Sequence, residues 1–402
     1  MRVLLLCNKP PFPPVEGGAL AMEATVRGLT RVGVKVDILA VESEKYSAGK
    51  VPEDLRDRVT MTSVGLDLRL RPLPALWTLL TGRSYHLARF RSATLEKALV
   101  RLLTAGEYDI VQFETPFLGQ YLPLVRRLSR ARVVLRAHNA EHRIWERIAS
   151  QSSPGPRKVY LQTLSRQLRT FEASFAAACD GIASISELDA CWFSEVCATP
   201  VVVYPYGRDV HKASSRAVES PNARLFHLGS MNWKPNEEGI AWMLSEIWPL
   251  VEEKEHTVEL HLAGRHMPDW LMQGYWPGVK VHGEIPDSTA FMLQYGIMVV
   301  PLLSGSGLRI KIIEGMEAGR AIISTTLGAE GIPLTHGEDI LLADSPQAFA
   351  DGILELVSDS TLREKLGRNA RASAAQAFDN ARFTRELLDF YASIGAKISL
   401  DE

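Results

Sequence analysis

Short apolar runs alternate with stretches of helical period along almost the whole chain. Residues 3–7, 34–40, 59–64, 110–113, 133–136 and 182–185 read as strands, and most spacers between them are long enough for a crossover helix. The first such helix is expected near residues 19–32, after Gly17-Gly18 and before Gly33, a residue suited to a helix C-terminus. The alternation starts again in the second half, with strands expected at 225–228, 258–263, 279–282, 297–301, 321–325 and 340–342. There Asn236 is placed to cap a helix over 237–251, with Glu237 and Glu238 near its positive end. Strand–helix alternation of this kind predicts parallel sheets covered on both faces. The fold class is therefore α/β, two tandem Rossmann-like doubly wound domains facing a central cleft. Residues 205–221 are polar and carry Ser214, Ser215 and Ser220, so the linker is placed there. The domains are read as 1–205 and 206–379.

Length and composition agree with this reading. A chain of 402 residues, 46% hydrophobic and 23% charged, can bury one core in each half. The 45 basic and 47 acidic side chains nearly cancel, but they are unevenly spread. Residues 1–200 hold 27 basic and 20 acidic residues, a balance of +7, which leaves −9 for the remainder. A dedicated nucleic-acid binder would be basic throughout, so no nucleic-acid partner is expected. The four cysteines form no CxxC pair and have no histidine at zinc-ligand spacing, which points to structural thiols in a reducing compartment. The first residues read as a strand rather than a signal peptide, and no apolar run approaches the ~18 residues needed to span a bilayer. The expected location is cytoplasmic.

Open α/β sheets bind ligands outside the carboxyl ends of their strands, so the loops there carry the candidate chemistry. Residues 301–332 read strand, glycine loop, helix, strand, glycine loop. Gly305 and Gly307 flank Ser306 and let backbone N–H groups approach a phosphate, at the positive end of the following helix. Arg309 and Lys311 add cationic donors, and the carboxylate of Glu314 suits the vicinal diol of a ribose. His138 ends the fifth strand; on position alone it serves structure or a ligand equally well. Gly17-Gly18 follows a proline-rich loop and permits close approach to a ligand, with Lys9 a weaker phosphate candidate. Residues 66–103 mix leucine with a net charge of +5, which fits either an anionic membrane surface or a pair of core-facing helices with solvated arginines. No D-x-D pair is present, so no metal site is expected.

The 301–332 segment resembles the donor-binding signature of the GT-B glycosyltransferases, specifically the large retaining group called family four. Its helix, Glu314-Gly315-Met316-Glu317-Ala318-Gly319-Arg320-Ala321-Ile322-Ile323, follows the family pattern E-A-M-A-x-G-x-P-V-V with substitutions. The resemblance takes in nearly the whole chain, including Gly17-Gly18, His138 and the run from His282 to Ile285. Two positions depart from it. Ser306 stands where the family usually has a second Glu, and the loop after the first strand of the second domain keeps Lys234 but not the usual Arg.

The resemblance implies a metal-independent hexosyltransferase that needs no cofactor beyond its donor substrate, a nucleotide-diphosphate sugar. The acceptor would be a carbohydrate or a lipid-linked hydroxyl, with a candidate contact to the inner face of an anionic membrane and retention at the anomeric carbon. It implies catalytic roles for His138, Arg309 and Lys311. Donor binding would fall to Gly17, Gly18, Lys234, Gly305, Ser306, Gly307 and Glu314. Acceptor would bind the first domain and donor the second, with a C-terminal helix near 380–394 crossing back onto the first. A nucleotide-sugar epimerase of the same fold and a non-catalytic nucleotide-sugar or glycan-binding subunit are the alternatives.

Overall fold

Parallel strands form both halves of the molecule in a computed structural model that describes residues 1–14, 17–69, 84–208, 222–305 and 308–398. The chain divides into two compact units, Met1–Arg208 with Asn380–Glu402, and Asp209–Asp379. Much of the expected linker, and Arg71, Trp77, Leu79, Leu80 and Arg83 of the basic stretch, lie outside the described residues.

In the first unit the strands are β1 (Arg2–Cys7), β2 (Lys35–Glu42), β3 (Val59–Gly65), β4 (Ile110–Phe113), β5 (Arg132–Ala137), β6 (Gly181–Ser184) and β7 (Val201–Val203). Among the described residues they make one parallel sheet in the order β3-β2-β1-β4-β5-β6-β7. In the second unit β8 (Leu225–Leu228), β9 (Leu260–Ala263), β10 (Val279–Gly283), β11 (Ile297–Val300), β12 (Ala321–Ser324) and β13 (Leu341–Leu342) give the order β10-β9-β8-β11-β12-β13. In each sheet the order reverses beside the unit's first strand, the place where doubly wound folds open a ligand crevice.

Central strands carry continuous apolar runs because helices cover both faces. β1 is buried from Val3 to Cys7, and all of β11 is buried. Edge strands alternate instead, as in β10, where Lys280 and His282 are exposed or half-exposed between more buried neighbours. The first helix runs Gly17–Arg31 and stops at Gly33, whose φ of 87° lies in the left-handed region, as its sequence position predicts.

The helix expected over 237–251 begins earlier, at Lys234–Trp242, and continues through a widened turn at Met243–Ile247 into Trp248–Lys254. Asn236 therefore does not cap it. Pro235 occupies the first turn, where a missing N–H costs nothing, and the Asn236 amide donates instead to the Ser230 carbonyl at 3.0 Å.

The helix Asn380–Ser393 belongs to the first unit although it follows the second in sequence. It packs on the Gly17–Arg31 helix at Gly28, where a side chain would overlap the Thr384 hydroxyl. The Asn380 amide donates to the Ala24 carbonyl at 2.9 Å. Phe383, Leu387, Phe390 and Tyr391 are buried in the core shared with β1. Burial contributes about 1.5–3 kcal/mol for each large apolar side chain, so this face alone fixes the helix in place. Among the described residues no helix is long and apolar enough to cross a membrane.

Candidate functional site

In the second unit the candidate phosphate ligands collect in the loops after β8 and β11. Gly305 has a φ of 118°, and the Trp233 ring lies 2.9 Å from where its Cβ would be. Trp233 precedes the helix Lys234–Trp242, and on its ring sits the Arg309 guanidinium, 5.5 Å from the ring centre. Arg309 is only 7% exposed, and its Nη2 donates to the Leu327 carbonyl at 3.5 Å. A desolvated guanidinium over an indole gains about 2 kcal/mol. Trp233 thus joins the glycine loop to a buried cation. Arg309 also stands directly before the helix Ile310–Glu317, so its charge adds to the positive end of that helix.

Two further cations here each meet a carboxylate. Lys311 donates to Glu314 at 2.7 Å along the same helix, and Lys234 to Glu237 at 2.9 Å. Glu314 is the less exposed partner, at 13% against 42% for Lys311. The Ser304 hydroxyl donates to Glu238 at 2.8 Å, tying the loop after β11 to the helix after β8. Beneath, buried His227 donates from Nδ1 to the Val299 carbonyl at 2.9 Å, and burial holds its pKa below the usual value. Ser306 and Gly307 lie outside the described residues.

In the first unit Gly17 and Gly18 open the first helix, and a Cβ at Gly18 would lie 2.8 Å from Lys9 Nζ. A side chain there would displace Lys9 from the loop after β1. His138 follows β5, and its Nε2 lies 2.8 Å from the fully buried Glu114 carboxylate, just beyond β4. Glu114 also receives the Gln112 amide at 2.6 Å and faces the Arg136 guanidinium at 3.5 Å. Burial pushes the Glu114 pKa up, but the His138 hydrogen bond, the Arg136 charge and the Gln112 amide outweigh it, so the group is held below the usual carboxylate value. Burial, reinforced by Arg136 and Lys9 and opposed by Glu114, lowers the pKa of His138.

Next to His138, the helix Glu141–Gln151 starts against another buried carboxylate. Glu172 accepts the backbone N–H groups of Glu141 at 2.8 Å and His142 at 2.9 Å, and the His142 ring at 2.8 Å. That carboxylate fills the positive helix end. Burial and the Glu172 charge push Glu141 up to about 8.

The structure therefore brings Lys9, Gly18 and His138 to one edge of the first sheet. It gathers Gly305, Arg309, Lys311 and Glu314 in the second unit, with Lys234 adjoining Trp233. Sequence reasoning missed Glu114 and Trp233. A polar pair spaced by two on each of two buried strands, Gln112 with Glu114 and Arg136 with His138, was the available signal for the first.

Solved structures share this chain's fold over nearly its whole length. An Anabaena protein, Alr3699/HepE, solved in complex with UDP, superposes with a TM-score of 0.66 at 15% identity, covering 98% of this chain and all of the other. Sucrose-phosphate synthase from Thermosynechococcus elongatus also reaches 0.66, at 14% identity over 98% and 99% of the two chains. The chain has the GT-B fold of the glycosyltransferases. Residues 222–359 of this GT-B chain match the family model of the group 1 glycosyl transferases. Phosphatidyl-myo-inositol mannosyltransferase of Mycobacterium tuberculosis is 22% identical to the GT-B chain over 78% of its length and 81% of the relative. An uncharacterized 44.6 kDa protein of the Klebsiella pneumoniae cps region is 20% identical over 95% and 97%. Among the described residues, the GT-B chain has no group of three or more His, Cys, Asp or Glu side chains that could hold a metal ion.

Proposed function

We propose that this chain transfers a hexosyl group from a nucleotide-diphosphate sugar to a hydroxyl of a glycan, a lipid-linked sugar or a related acceptor, with retention at the anomeric carbon. The observation that carries this reading is the buried Arg309 guanidinium, held on Trp233 beside Gly305 at the start of a helix. A buried cation next to N–H groups and a close-approach loop is suited to the diphosphate of a leaving group. Glu314 would hold the ribose. Gly305, Ser306 and Gly307 with Arg309, Lys311 and Lys234 would hold the diphosphate. In the first unit, Gly17 and Gly18 would serve donor binding and His138 the chemistry. The UDP in the Anabaena neighbour supports a nucleoside diphosphate donor. The lipid in the mycobacterial relative's name supports an anionic, lipid-linked acceptor for the +7 unit.

Catalysis on this reading is positioning together with stabilisation of leaving-group charge by Arg309, without a metal ion. The leaving phosphate takes the acceptor proton on the face from which it departs, which preserves the anomeric configuration. Thermal shift with the common nucleoside diphosphates, then turnover of the stabilising base's sugars with glycan and lipid-linked acceptors, tests it. The expected product is a glycoside with the donor's anomeric configuration. Stabilisation by no nucleotide would reject the donor site, and conversion of donor sugar with no acceptor present would identify an epimerase. Co-sedimentation with anionic but not neutral vesicles is the expected result for a peripheral, inner-face location.

A further inference from the structure

Glu114, His138 and the C-terminal helix are joined by one chain of hydrogen bonds inside the first unit. The Tyr391 hydroxyl meets the Gln112 amide oxygen at 2.5 Å. The Gln112 amide nitrogen meets Glu114 Oε1 at 2.6 Å, and Glu114 Oε2 meets His138 Nε2 at 2.8 Å. Tyr391, Gln112 and Glu114 are fully buried, so none of the links trades partners with water.

The direction of every proton in this chain follows from chemistry. An ionised carboxylate only accepts, so the Gln112 nitrogen must face Glu114 and its oxygen must face Tyr391. An amide oxygen also only accepts, so Tyr391 donates. By the same rule His138 must carry its proton on Nε2. Its Nδ1 is buried and has no hydrogen-bond partner, and the Arg136 guanidinium and Lys9 nearby disfavour a second proton on the ring. The ring is thus the neutral Nε2–H tautomer, with Nδ1 as a lone-pair acceptor. As a lone-pair acceptor, Nδ1 pairs with a donor such as a hydroxyl and not with a phosphate oxygen that carries no proton.

Arg136 holds the other side of the carboxylate. It stacks 4.6 Å from the Tyr204 ring centre and donates to the Ala21 carbonyl at 3.3 Å, so it cannot swing in to replace His138. Glu114 itself keeps the Gln112 nitrogen facing it, so loss of the Tyr391 hydroxyl would leave the Gln112 oxygen without a donor and loosen the amide that braces Glu114. An unsatisfied acceptor in a dry core costs about 1–3 kcal/mol.

We propose that Glu114 sets the tautomer of His138, and that Gln112 and, through it, Tyr391 of the C-terminal helix hold Glu114 in place to do so, which makes these three positioning residues for the proposed sugar transfer. The kinetic part of this proposal rests on the proposed function; the tautomer part does not.

Selective 15N labelling of histidine and long-range 1H–15N spectra of the full chain, without ligand, test it. His138 is assigned by loss of its signals in His138→Gln. The expected wild-type spectrum shows a protonated Nε2 and an unprotonated Nδ1. Glu114→Gln, close in volume to the native residue, is expected to shift His138 toward the Nδ1–H form or a mixture, whereas Tyr391→Phe, which keeps the carboxylate, is expected to keep Nε2–H and move the His138 shifts only slightly. Where an active donor and acceptor pair is in hand, Tyr391→Phe is expected to lower kcat about 3- to 10-fold with donor KM little changed, the scale of one hydrogen bond. A wild-type His138 protonated on Nδ1 would overturn the proposal. So would His138 signals unmoved in folded Glu114→Gln. The tautomer is read on ligand-free protein, so a chain inactive on every donor still decides this question separately from the question of function.

Discussion

Lys311 Nζ lies 2.7 Å from Glu314 Oε2, one turn along the helix that follows the glycine loop. The pair is largely solvent-facing at the lysine end, so it contributes less than about 1 kcal/mol to stability. Its consequence is orientation: the carboxylate proposed for the ribose is already held by a neighbour. Glu314→Ala is expected to weaken nucleoside diphosphate binding about 10- to 100-fold with an unchanged melting temperature. Lys311→Ala is expected to weaken it several-fold less. Calorimetric titration of both variants measures the difference, and equal losses would mean that Lys311 contributes as much through the diphosphate as Glu314 does through the ribose.

Arg309 is expected to act on the leaving group. Arg309→Ala should lower kcat by about 100- to 1000-fold while donor KM rises far less. Arg309→Lys should recover only part of the loss, because an ammonium cannot reproduce the planar stack on Trp233. Steady-state kinetics with varied donor provides the check, and a change confined to KM would remove Arg309 from the chemical step.

Gly305 is expected to tolerate no side chain. Its φ of 118° is strained for any L-residue, and the Trp233 ring closes the space a Cβ needs. Gly305→Ala should cost about 1–3 kcal/mol locally and displace Trp233 from beneath Arg309. Tryptophan fluorescence and donor affinity should change together.

Acid should weaken the first unit. His86 is buried against Trp145, its Nδ1 lies 3.1 Å from Arg89 Nη2, and burial together with the Arg89 charge pushes it down to about 4. A histidine with a folded pKa below its unfolded value of ~6.5 binds its proton first in the unfolded chain. Stability is therefore complete above pH ~6.5 and falls as pH drops from there toward 4, by an amount on the order of 2–3 kcal/mol for this residue. Urea midpoints at pH 7 and pH 4.5 should differ less in His86→Phe than in wild type.

Glu141 should show the opposite sign. Its carboxyl is pushed up to about 8 by burial and by Glu172, so the folded state prefers it protonated. The stability this provides is present below the unfolded pKa of ~4.5 and is lost as pH rises through about 8. Glu141→Gln removes the charge at nearly constant shape and is expected to raise the melting temperature at pH 8.5 but not at pH 4.5.

The strands were legible because parallel strands covered on both faces are continuous apolar runs, and all twelve expected ones are present. β7 escaped because three half-buried valines after Pro200 are too short a run to separate from a loop. Asn236 misled because its residue type favours a cap, while Trp233 and Pro235 had already started the helix. Glycines and cations after β11 stood out because they are neighbours in sequence. Glu114 did not, since Arg136 of β5 and His138 just after it are distant in sequence, and only strand pairing, with Phe113 beside Leu135, brings them together.

The return of the Asn380–Ser393 helix fixes an order of assembly. A chain leaving the ribosome delivers β1 to β7 first, yet the hydroxyl that donates to Gln112 emerges only after residues 209–379 have been made. The first unit begins first and is completed last. A premature stop after residue 379 would leave the second unit's sequence whole and yet strip the first of the helix that covers Gly28 and of the donor beside Gln112.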